Sequence, residues 1–182
     1  MCIRDRCWVC LGRRAQEEAF VGRTAEVGDE LGSRILTARI VRDLMRLCLL
    51  IERRYAPYSK WLGSAFRNLR IASGLTPHLD AALKATDYPT REAGLCSAYE
   101  YIARCYNRLN LTPHVDPETR LFYKRPFRVI GGDRFAEACL AAIQDEWLKG
   151  QPLMGSVDQF VDSTDVLNSA HRSQCLANIY ND

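Results

Sequence analysis

Residues 33–55 read SRILTARIVRDLMRLCLLIERRY, and this stretch decides the fold class. At 100° per residue, Ile40, Val41, Leu44, Met45, Leu47, Cys48, Leu49 and Ile51 spread over an arc of roughly 200°. An apolar arc that wide predicts a central helix packed on several sides, not a surface helix with one buried stripe. Arg39, Arg42, Arg46 and Arg53 fall within about 60° of one another on the remaining face. Pro57 stops the helix, because a prolyl nitrogen has no hydrogen to donate.

Working outward, helical periodicity dominates. A first helix is expected over about 8–23, with Phe20 as its apolar anchor. Gly22, Gly28 and Gly32 loosen the chain after it, and Asp29 or Ser33 is placed to cap the central helix. A short helix is expected over 58–69. The pair Thr76-Pro77 reads as the start of another, with a side-chain cap followed by proline at the first helical position. Leu95, Tyr99, Ile102, Tyr106 and Leu109 step by four and three, the spacing of an inter-helix seam in a helix from about 89 to 110. Residues 111–132 break the pattern with three prolines and Gly131-Gly132; the segment 127–130 suits an extended conformation but has no convincing partner strand. Asp133 is placed to cap a helix to about 147, and a last helix is expected over 165–179. The expectation is an all-α single bundle of six or seven helices with one irregular proline-rich loop.

The 182 residues fit one domain, which would bury roughly 70% of its unfolded surface. No apolar run approaches the ~18 residues of a membrane span, and no secretory leader is visible, so the chain is expected to be cytoplasmic without membrane contact. The formal charge of +3 hides a split. Residues 1–75 hold 14 Lys/Arg and 8 Asp/Glu; residues 76–182 hold 11 and 14. That suggests a basic face meeting an acidic one, within the domain or across an anionic ligand. Overall basic density falls short of a dedicated nucleic-acid binder, so nucleic acid is not the expected partner.

The eight cysteines do not form a disulfide framework by pattern. Cys48, Cys96, Cys105, Cys139 and Cys175 sit in helix-like segments, where cysteine behaves as a small buried hydrophobe. Cys7 and Cys10 make a lone C-x-x-C, and no second pair follows at zinc spacing. His78, His114 and His171 show no ligand or nucleophile–base spacing. There is neither a P-loop nor a Gly-x-Ser-x-Gly elbow.

Three sets of residues carry possible chemistry. Arg42 and Arg46 either form a solvated polar face, with Asp43 and Glu52 as partners, or face a cleft and hold phosphate or carboxylate bidentately. Tyr55, Tyr58, Lys60 and Trp61 surround a proline turn and either stack a ring and meet a phosphate or pin two helices together. Asp158, Asp162 and Asp165, spaced by four and three, either share a helix face and do metal or catalytic work or serve as caps and first-turn acids. The residues alone thus describe a helical domain with a basic cleft and no complete catalytic constellation. A metal-dependent hydrolase would need the acidic turn to bind Mg²⁺ tightly by itself.

A resemblance goes further. The strings from Gln16 to Arg23, Gly28 to Arg34, Arg42 to Leu47 and Arg53 to Gly63 resemble domain-of-unknown-function family 4037. So do those from Arg125 to Phe127, Arg134 to Ala136 and Gly155 to Leu167, which extends the likeness from about Arg13 to near the C-terminus. Members of that family look like two-part proteins, a nucleotidyltransferase-like half followed by a helical half. The resemblance implies that residues 13–182 are the helical, substrate-binding half, with Arg42, Arg46 and Lys60 on nucleotide phosphates. Tyr55, Tyr58 and Trp61 would then shape the pocket, and Asp158, Asp162 or Asp165 would orient a small-molecule acceptor or act as base. The cofactors implied for an intact member are a nucleoside triphosphate and Mg²⁺, and the implied partner is the transferase half. That half needs a Gly-Ser turn and two carboxylates one residue apart on a strand. The nearest match, Asp116-Pro117-Glu118, fits a strand poorly. The chain is therefore expected to be inactive alone; the alternative is a non-catalytic module binding an anionic partner through its arginine face. The opening Met-Cys-Ile-Arg-Asp-Arg resembles a leader found on unrelated reading frames from metagenomic assemblies, which makes residues 1–12 a doubtful leader.

Overall fold

The computed structural model describes residues 17–149, 161 and 163–176, and over these the protein is predominantly helical. Helix α1 is described over 17–26. It is followed by α2 (Glu30–Ile51), α3 (Ser59–Arg67), α4 (Ala72–Lys84) and α5 (Tyr88–Asn107). Strands β1 (Arg120–Leu121) and β2 (Arg128–Val129) pair antiparallel, with Arg120 opposite Val129 and Leu121 opposite Arg128. Helices α6 (Gly132–Ala141), α7 (Glu146–Lys149), α8 (Thr164–Leu167) and α9 (Ala170–Cys175) complete the described elements. None of the described helices is long and apolar enough to cross a membrane.

Helix α2 is the axis of the core, as its wide apolar arc requires. The six consecutive residues from Arg46 to Ile51 are all buried, so the helix is covered on every side near its C-terminus. Leu44, Leu47 and Cys48 are wholly inaccessible and pack with Leu75, Leu95, Ala98, Ile102 and Phe135 from the surrounding helices. At its N-terminus Asp29 is the cap, accepting from the Gly32 amide at 2.7 Å. The helix therefore starts at Glu30, and Ser33 is a buried interior residue whose hydroxyl donates to the Val21 carbonyl.

Helices α4 and α5 form a hairpin across the short turn at 85–87. They pack so closely that a Cβ on Gly94 would lie 2.6 Å from the Ala82 backbone nitrogen. Asp87 caps α5, accepting from the Thr90 amide and hydroxyl. The seam Leu95, Tyr99, Ile102 and Tyr106 is buried as its spacing predicts.

Several local expectations are corrected. Pro77 does not open a helix: α4 starts five residues earlier and runs through it. Continuing the helix keeps Ala72, Leu75, Leu79 and Ala82 on one buried face, and the Thr76 hydroxyl donates to the Ala72 carbonyl at 2.7 Å. Phe20 is 40% exposed and is no anchor; α1 instead buries Glu18, Ala19, Val21 and Gly22. The ring of Phe127 lies where a Gly22 Cβ would stand, only 2.5 Å away, so the α1–hairpin contact requires glycine.

The segment around 128 does find a partner strand, and α5 holds the hairpin in place. Glu92 accepts from the Arg128 amide at 2.7 Å, and Glu100 accepts from both the amide and the hydroxyl of Thr119. Asp133 lies in the first turn of α6 but is not its cap. That helix ends at Ala141 rather than near 147, and the last expected helix is two short ones, α8 and α9, packed on each other.

Candidate functional site: the corner between α2 and α3

Helix α2 ends in a Schellman turn. The Arg54 amide donates to the Leu49 carbonyl at 2.7 Å and the Arg53 amide to the Leu50 carbonyl at 2.9 Å. The residue in the left-handed position is Arg53, with φ 58°, where glycine is usual. An L-residue there costs about 1–2 kcal/mol in local strain. The chain then runs extended past Pro57, and α3 starts at Ser59 with no side-chain cap from Tyr58. Leu62 and Phe66 turn inward, so the opposite side of α3 carries Lys60 and Trp61 outward. The Lys60 ammonium sits 5.1 Å from the centroid of the Trp61 ring.

The sequence-predicted residues divide into three groups. Tyr55, Tyr58, Lys60 and Trp61 come together at this corner, and the rings are 66%, 42% and 50% exposed in the order Tyr55, Tyr58, Trp61. Arg42 and Arg46 lie further back on α2. Arg42 is partly buried, 3.6 Å from Asp43, and Arg46 is buried. Arg39, at the start of the stripe, pairs with Glu17 of α1 at 2.6 Å. Glu52 points away from the stripe; it accepts from the Ile71 amide at 2.9 Å and faces Arg70 at 3.8 Å, which ties the corner to the start of α4. Among the acids, Asp165 is exposed in the first turn of α8, whereas Asp158 and Asp162 lie outside the described residues.

Two buried charge clusters escaped the reading of the sequence. Glu18, buried in α1, accepts from the amides of Ile130, Gly131 and Gly132, the last two bonds being 3.3 and 3.0 Å. With Gly131 left-handed at φ 67°, it caps the N-terminus of α6 as an anion would. Arg91, fully buried in α5, donates to both carboxylate oxygens of Glu30, to the Ser33 hydroxyl and to the Ala85 carbonyl. These bonds, with Arg34 adding another, hold the Glu30 carboxyl below the usual carboxylate range. Arg91–Glu30 and Arg125–Glu26 join the two halves of the chain with the acid on the N-terminal side, opposite to the expected polarity. Glu17-Glu18 before Phe20 gave the signal for the first cluster only in hindsight, because a buried carboxylate and an exposed one look alike in a helical pattern.

The interior offers no room for a nucleotide in the cavity between α2, α5 and α6. About 20 Å³ in volume, it is lined by Leu44, Leu47, Tyr99, Ile102, Tyr106 and Phe135 among others, and has space for about one water. Cys48 and Cys139 are buried, and burial pushes the Cys96 thiol up to about 11 and raises that of Cys105 as well. Such thiols are protonated at neutral pH and are poor nucleophiles. Cys175, in contrast, is exposed. Among the described residues, no group of three or more His, Cys, Asp and Glu is placed to hold a metal ion.

No curated protein and no solved structure matches the chain. The strings quoted from Arg125 onward lie beyond the family match, which takes in α1, α2 and the start of α3. The family model described as Domain of unknown function (DUF4037) matches the chain over residues 4–62.

Proposed function

We propose that this chain is the helical, acceptor-side part of a nucleotidyltransferase-like protein and does not transfer a nucleotide alone. The observation that carries the reading is the corner itself. Lys60, Tyr55, Tyr58 and Trp61 are outward-facing within the family-matched segment, where a cation and rings meet a nucleotide or its acceptor. Lys60 is the residue best placed for a phosphate. Arg42 and Arg46 reach one only if it enters the inner face of α2, because Arg46 is buried. Asp158, Asp162 and Asp165 remain the acids proposed to orient the acceptor or take its proton.

In this reading a nucleoside triphosphate and Mg²⁺ are bound by the intact protein. Among the described residues no group of three or more His, Cys, Asp and Glu is placed to hold the metal; by the resemblance its ligands would come from the transferase half, and no step is routed through this domain. The chain's own contribution is to hold and orient. The test is transfer of a labelled nucleotide by the intact protein. Lys60→Ala combined with Asp158→Ala is expected to lower turnover at least 10-fold, and undiminished turnover removes these assignments.

The rival reading, a non-catalytic module that binds an anionic partner through the arginine stripe, is less well supported. Arg39, though exposed, is paired with Glu17, Arg42 lies beside Asp43 and Arg46 is buried, so the corner is the better anion-facing group.

A further inference from the structure

We propose that the α2–α3 corner binds single-stranded nucleic acid, and that such a strand is the acceptor class of the reading above. The word acceptor rests on that reading; the binding surface stands on its own observations. Between positions 53 and 79 the chain holds five Lys/Arg and no Asp or Glu. Folding gathers these charges. Arg70 approaches Glu52, the residue next to Arg53 and Arg54, and Arg67 lies one turn earlier at the end of α3. The bordering acid, Glu52, is turned to the Ile71 amide. Lys60 stands at the other end of α3.

All five cations are exposed, and so are three rings along the same corner. A mononucleotide offers one base and one cluster of phosphates. Several exposed rings interleaved with several cations match a polymer that repeats base and phosphate. A duplex hides its base faces, which selects a single strand. A lipid surface would be met by a broad apolar face, but the apolar face of α3, with Leu62 and Phe66, points into the core, and Trp61 stands outward among Lys60, Gly63 and Arg67.

The experiment is fluorescence anisotropy on the full chain with a labelled 12-nucleotide mixed-sequence RNA, against the same sequence as a duplex, inorganic polyphosphate and phosphatidylserine vesicles. The strand is expected to bind more tightly than the duplex or polyphosphate. With four cations engaged, its affinity should fall about 50-fold between 50 and 200 mM salt. Trp61→Ala should weaken binding about 10-fold with the salt slope unchanged, while Arg54→Ser with Arg70→Ser should flatten the slope. The proposal is overturned if the strand does not bind at 50 mM salt, or if polyphosphate or duplex binds as well. Binding to vesicles alone, or an inert Trp61→Ala, also overturns it. Binding without transfer by the intact protein would remove the acceptor-side reading and leave the surface. Transfer without strand binding would do the reverse.

Discussion

Two regions of this protein handle charge in opposite ways. Inside, Glu18 and Arg91 are buried, and several donors or acceptors surround each of them; outside, the α2–α3 corner presents five exposed cations, and the bordering acid, Glu52, faces one of them, Arg70. A buried charge is tolerated only when its hydrogen bonds are made, so Glu18 and Arg91 are committed to the fold. An exposed charge near others of its sign gains nothing by folding and adds repulsion. The corner even spends strain, since Arg53 stands where glycine would fit. The contrast teaches that the count of arginines on α2 was a poor guide to function, because neighbouring arginines of one stripe ended up with different burial and different partners.

The comparison breaks first at Arg91. Arg91→Leu is expected to cost about 3–5 kcal/mol, because it leaves the buried Ser33 hydroxyl and Ala85 carbonyl without their charged donor and the Glu30 carboxylate with Arg34 alone. Urea unfolding of the two proteins checks this, and a loss below about 1 kcal/mol would place Arg91 among the surface charges. The pair has a pH signature as well. The Glu30 carboxyl is held below its ordinary value of 4.5, so its contribution is present above that pH and is lost as pH falls through the lower, folded value. The acid limb of the stability curve should therefore flatten in Arg91→Leu.

Glu18 should come next. Glu18→Ala strips α6 of its cap and leaves three amides unanswered, for about 2–3 kcal/mol, whereas Glu18→Gln keeps one acceptor oxygen and should lose roughly half as much. Equal losses from the two variants would show that packing rather than hydrogen bonding sets the cost.

The smallest effect is the most discriminating. Arg53→Gly relieves the left-handed strain and should raise stability by up to about 1 kcal/mol while weakening anion binding at the corner. Trp61→Ala, at an exposed position, should change stability by less than about 0.5 kcal/mol. A destabilised Arg53→Gly would mean that the arginine side chain has a structural duty.

The helical character was readable because α2 and α5 advertise it; their apolar residues recur at helical spacing and are buried as that spacing requires. The corner was readable too, since Pro57 and the cluster Tyr55 to Trp61 mark it in the chain. The run without acids from 53 to 79 was equally visible but was averaged into the basic balance of residues 1–75, where the acids lie before it. Other features could not be read. Pro77 looked like a boundary because local chemistry favours one there, and only the buried face of Ala72, Leu75 and Leu79 outweighs it. The caps of α6 and the burial of Arg91 depend on residues that are distant in sequence, so no local pattern announces them.

The hook that Glu18 makes on α6 also sets an order of events. Its bonds close loops of 112–114 residues, so α1 emerges from the ribosome long before the amides that hold it. At about 5–20 residues per second, the wait is roughly 6–23 s. During that interval α1 has α2 beside it, through Arg39–Glu17 and Ser33–Val21, but the side that carries Glu18 and Gly22 lacks its cover and is open to a chaperone or a wrong neighbour. The Glu18 side of α1 is thus among the last parts of the described fold to settle.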